Sequence, residues 1–173
     1  MNNFNMETEV DQYAYQFQEI SFCQTKPIRV QKEGQIVWYM AKEWQRTISR
    51  IAVCDSQYEK CIDRFLSGIS LCELAVSSGV PILQTFATKM LDLSNYARPI
   101  ASVDRMPAAK SGNLIEPKDI LDITRADFEI AFGITPLQQL RIESTLAGNL
   151  TNTPVCSDYL KKYKNFTKIN QNE

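Results

Sequence analysis

Apolar residues recur along the chain at alternating steps of four and three. From Val37 they fall at Ala41, Trp44, Ile48 and Ile51, meet a polar residue at Asp55, and resume at Tyr58, Ile62, Phe65, Ile69, Cys72 and Val76. Eleven of these twelve positions are apolar, a heptad seam longer than the three or four repeats, roughly, that define a sustained pattern. No proline interrupts it, and Gly68 is its only glycine. The spacing predicts one long helix, about 60 Å at roughly 1.5 Å per residue. Trp38, Met40, Ala52, Cys54, Cys61, Leu66 and Ala75 widen the stripe, which suits a helix packed by several neighbours better than a two-stranded zipper.

Asp55 carries two readings. Ser56 and Glu59 have the spacing of a capping box, which would break the helix there. The seam nevertheless keeps its phase across the gap, which favours a continuous helix with Asp55 as a register or switch position in its core. A buried carboxylate of that kind needs a partner or moves its pKa upward.

The flanks follow from their own punctuation. Residues 1–36 read as an N-terminal arm or hairpin, with Ile28-Arg29-Val30, a Lys32-Glu33-Gly34 turn and Gln35-Ile36-Val37 as the hairpin signal. Ser77-Ser78-Gly79-Val80-Pro81 ends the long helix. A second helix returns through Leu83, Phe86, Met90 and Leu93, stopping before Pro99. The expected organisation is therefore an arm over 1–36, a helical hairpin over 37–98, a Pro/Gly-punctuated linker over 99–116, a small helical unit over 117–164 and a polar tail over 165–173. In the helical unit, Pro117 opens one helix, Thr124 and Asp127 cap a second that stops at Gly133, and Thr135 caps a third with Pro136 at its first position. Thr153-Pro154 opens a fourth. The fold class is mostly α: a helical bundle with a possible short β-hairpin.

Composition narrows the chemistry. The 173 residues contain no histidine. That removes histidine-based nucleophile activation, mixed Cys/His zinc sites and the commonest acid–base group. Five cysteines without a Cys-x-x-Cys pair read as reduced thiols. With no leader-like apolar segment at the start, they point to the cytoplasm. No run is long and apolar enough to span a membrane. No phosphate-cradling glycine loop or cofactor fingerprint is present, so no catalytic, metal or cofactor residues are assigned and no cofactor is expected.

The segment Phe132-Gly133-Ile134-Thr135-Pro136-Leu137-Gln138-Gln139-Leu140-Arg141 resembles the stretch after the first helix-turn-helix of AraC-type regulators. The resemblance implies a DNA-binding transcriptional regulator as an alternative function. Charge argues against it. Net charge is −1, and acids outnumber bases between Leu114 and Leu150, where phosphate contacts would be needed.

The leading expectation is thus a non-catalytic adaptor, accessory or regulatory factor. It would bind another protein, or itself as an oligomer, through the long helix. Nucleic acid is argued against, and a histidine-free enzyme ranks third. A helix of this length outruns its returning partner, leaving apolar surface far from the Gly79–Pro81 turn. Trp38, Trp44, Ile48 and Ile51 are the expected partner-binding residues, because tryptophan buries much area with few rotatable bonds.

Overall fold

The computed structural model describes residues 13–51, 56–100 and 117–149. Asp55, the linker residues 101–116 and the helix expected from Thr153 lie outside them. The described chain opens with a single 3₁₀ turn at Phe17–Glu19, then two antiparallel strands, β1 (Thr25–Lys32) and β2 (Gln35–Lys42). Helix α1 (Trp44–Ile51) follows, then a 3₁₀ segment at Ser56–Cys61. Helices α2 (Ile62–Ser77), α3 (Leu83–Leu93), α4 (Asp122–Phe132) and α5 (Pro136–Asn149) complete it.

The continuous long helix is not formed, and neither the heptad bundle nor a coiled coil built on it exists. Its first turns are strand β2, because Val37, Tyr39 and Ala41 alternate with Ile36, Trp38 and Met40. Both sets are apolar, so the stretch satisfies a period of two as well as a period of three and a half. Cross-strand hydrogen bonds decide between them. Glu33 (φ 53°) and Gly34 (φ 78°) both adopt left-handed backbone. That is the twist a two-residue hairpin turn requires. The turn sets Lys32 opposite Gln35 and brings Val30 opposite Val37, Ile28 opposite Tyr39 and Lys26 opposite Ala41. The hairpin thus runs five residues further than the sequence signal indicated.

The inner hairpin face carries Ile28, Val30 and Ala41 into a core shared with Ile48, Leu66, Val80, Ile82, Leu83, Phe86, Met90, Phe128, Ala131 and Leu146. Helix α1 joins it through Trp44, Ile48 and Ile51, spaced on one helical face. Helices α2 and α3 pack as an antiparallel pair joined by the short turn at Ser78–Ile82. A second cluster of Leu74, Ala87 and Leu91 lies between them.

The turn into α3 is tight. Ile82 sits at φ 65°, ψ −54°, and the Leu83 N–H donates to the Pro81 carbonyl at 2.7 Å, forming a γ-turn of the rare, strained hand. A β-branched residue there costs on the order of 1–3 kcal/mol. Helix α5 holds it. The Ile82 N–H donates to Glu143 Oε1 at 2.8 Å, and Arg125 grips the same carboxylate at 2.9 and 3.2 Å.

Pro117 does not open a helix, since residues 117–121 are irregular. Helix α4 instead starts at Asp122, so Thr124 and Asp127 lie inside it, 1% and 0% exposed, rather than capping it. Helix α4 ends on Gly133 in left-handed conformation. Helix α5 begins at Pro136 with a capping box: the Gln138 N–H donates to Thr135 Oγ1, and the Thr135 N–H donates to Gln138 Oε1 at 2.9 Å.

Candidate functional site

Side-chain hydrogen bonds tie the hairpin to α4 and α2. The Arg29 N–H points away from β2 and donates to Asp127 Oδ2 at 2.9 Å. Arg29 therefore contributes no N–H to β2, and the Arg29–Trp38 pair is the closely spaced kind, with Cα atoms about 4.5 Å apart. Helix α4 thereby covers the free edge of β1, which would otherwise be open to pairing with another strand.

The guanidinium of Arg29 closes on the same carboxylate, Nε to Oδ2 and Nη2 to Oδ1, each at 2.7 Å. Gln18 Nε2 adds a fourth bond to Oδ1 at 2.8 Å. Burial alone would raise the pKa of Asp127. The hydrogen bonds from the Arg29 side chain, Gln18 and the Arg29 N–H outweigh it and hold the carboxyl below its ordinary value. The same bond to Asp127 raises Arg29 above its own ordinary value, against desolvation. A second tie comes from Lys26, whose Nζ donates to the Ala131 carbonyl at 2.6 Å. That places a cation at the negative end of α4. On β2, Lys42 pairs with buried Glu73 at 2.9 Å, and the Tyr39 hydroxyl donates to the Val76 carbonyl.

Just before β1 the chain makes another two-residue turn. Phe22 and Thr25 exchange backbone hydrogen bonds at 3.0 and 2.9 Å. Between them Cys23 (φ 49°) and Gln24 (φ 63°) are both left-handed. Glycine or asparagine is the usual occupant of such positions. Two non-glycine side chains held there store strain, and both are exposed. The Gln24 carbonyl accepts the Glu43 N–H at 3.1 Å, fastening the turn to the end of β2. An open groove of about 510 Å³ lies beside it, lined by Glu19, Ser21, Gln24, Lys26, Glu43 and Ile130–Gly133. Among the described residues no group of three or more carboxylates and thiols is placed to hold a metal ion.

The four expected partner-binding residues separate. Ile48 is buried, and Trp44 and Ile51 pack against the core. Trp38 stays 48% exposed on the outer face of β2. Its ring meets Phe17 edge-on at 4.8 Å and the Arg29 guanidinium at 5.3 Å. Sequence reasoning missed Arg29, Asp127, Gln18 and the Cys23–Gln24 turn. Asp127 had a signal of a kind, an acid amid the apolar positions of a helix. The left-handed turn had none, since Cys-Gln is not a turn dipeptide.

These features define a helical protein built around an edge-capped, tightly turned β-hairpin. Residues 1–151 match the family of viral RNA dependent RNA polymerases, and the chain belongs to that family. It is 25% identical over 157 residues to the RNA-directed RNA polymerase of Groundnut rosette virus, covering 85% of this chain and 18% of that protein. It is 24% identical to that of Turnip crinkle virus, covering 82% and 19%. With that of Tomato bushy stunt virus the identity is 25%, covering 83% and 17%. The chain thus spans about a fifth of the length of the curated relatives it matches. No solved structure matches it.

Family membership overturns the expectation of a non-catalytic adaptor or regulatory factor, and that of a transcriptional regulator. The ten-residue resemblance to AraC-type regulators reduces to a glycine stop followed by a Thr-Pro capping box, a helix–helix junction that unrelated folds share. The argument against nucleic acid fails as well, because the relatives are polymerases of RNA. The net charge of −1 describes a chain about one fifth as long as such a polymerase, and the acid excess between Leu114 and Leu150 a smaller part still, whereas an RNA path depends on local donors.

Proposed function

We propose that this chain serves RNA-directed RNA synthesis as a segment of a longer polymerase, using the Cys23–Gln24 turn and its groove to hold RNA. The observation that carries this reading is the match of residues 1–151 to the polymerase family. The geometry supports it locally. The turn is strained, exposed and fastened at both ends, so groups at its tip are positioned before RNA arrives. Ser21, Gln24 and Lys26 offer donors to phosphate oxygens, while Glu19 and Glu43 offer acceptors. A ribose 2′-hydroxyl both donates and accepts, so such a mixed lining suits RNA better than DNA.

The test uses the longer polymerase containing this chain, with template-directed nucleotide incorporation and RNA affinity as readouts. Gln24→Ala combined with Ser21→Ala is expected to weaken RNA binding by about tenfold, as for the loss of roughly one or two hydrogen bonds. Incorporation at limiting RNA should fall in step. Unchanged affinity and synthesis in a variant with wild-type circular dichroism would overturn the assignment.

A further inference from the structure

On its outer face the hairpin buries Pro27 of β1, but β2 carries a row of large apolar side chains that the described residues leave part-exposed. Ile36, Trp38 and Met40 occupy successive outward positions of β2 and are 55%, 48% and 37% exposed. Phe17, 50% exposed, extends the row against Trp38. Contiguous apolar surface of this kind marks an interface.

The charges on this face select among occupants. Its outward-facing strand cations are Arg29, held in the buried Asp127 carboxylate, and Lys42, paired with Glu73. Both are neutralised within the chain, so the face offers RNA stacking area without free charge for its phosphates, the main source of affinity. An apolar protein surface needs no such charge. The curated relatives are about five times as long as this chain, so in them most of the polymerase lies outside the corresponding stretch.

We infer that the outer face of the hairpin, centred on Trp38, is where this segment docks on the rest of the polymerase, against a complementary apolar surface. Trp38 is the anchor, in contact with Phe17 and Arg29. Ile36 and Met40 complete the apolar core, with neutralised ion pairs at its rim, an arrangement typical of stable protein interfaces. The docking surface rests on the reading of this chain as a segment of a longer polymerase, but is separate from the RNA-holding turn and does not require it.

Hydroxyl-radical footprinting tests this on unmodified protein, comparing the 173-residue chain alone with the longer polymerase, both free of RNA. Trp38 and Met40 are expected to be oxidised at least several-fold more slowly in the longer polymerase, while exposed Leu137 on α5 reacts at the same rate in both. Equal rates at Trp38 and Met40 would overturn the inference. So would protection that appears only when single-stranded RNA is added, which would make RNA the occupant. Protection of the isolated chain that rises with its own concentration would make the occupant a second copy, and would overturn it too.

Discussion

Asp127 shows how much one side chain can organise. It is completely buried, accepts four hydrogen bonds and joins three segments: the 3₁₀ turn through Gln18, β1 through Arg29, and α4 through its own backbone. Because its folded-state pKa is depressed, the pair's contribution is complete above the unfolded carboxyl value, ordinarily 3.8. It is lost as pH falls through the lower folded value. Asp127→Asn keeps one acceptor but loses the charge-assisted bonds. It is expected to cost about 1–3 kcal/mol at pH 7, with solvent offsetting part because Arg29 is half-buried. Urea melts at pH 7 and near pH 2 check this: the gap between wild type and variant should narrow in acid. A gap of equal size at both pH values would mean that the ion pair is not its source.

At the scale of elements, what is local in sequence came out of sequence, and what depends on a distant partner did not. The Gly133 stop and the Thr135-Pro136 start need only side chains within three residues of the backbone groups they satisfy, and both are present as the spacing implies. Thr135→Ala should cost roughly 0.5–2 kcal/mol, measured by urea melt. Because Thr135 is exposed, a larger loss would point to an effect beyond capping. The α2–α3 turn was likewise legible from Gly79 and Pro81. Val37–Lys42 was not, because its apolar residues fit a strand and a helix equally, and β1 as a pairing partner decides the matter.

Across the whole molecule, residues far apart in sequence share one core. Phe128 lies wholly buried with Ile28 and Val30 from the hairpin and with Phe86 and Met90 from α3. Phe128→Ala should therefore cost about 3–5 kcal/mol through lost burial and the cavity left behind. Amide hydrogen exchange should report the loss in β1 and α3 together, not in α4 alone. Faster exchange confined to α4 would mean that the hairpin and the C-terminal helices are independently stable.

The sequence by itself determined the Gly133 helix stop, the Thr135-Pro136 helix start, the glycine-bearing hairpin turn, the returning helix at Leu83–Leu93 and the absence of histidine chemistry. Each follows from composition or from groups within a turn or two of one another. Tertiary structure decided the rest. It turned the head of the heptad pattern into a strand, because hydrogen bonds to β1 stabilise that conformation over a helix equally compatible with the side chains. It buried Ile48 and left Trp38 exposed, because burial depends on which face a neighbour covers and not on hydrophobicity. It also placed Asp127 against Arg29 across 98 residues, a pairing that nothing in the spacing of either residue encodes.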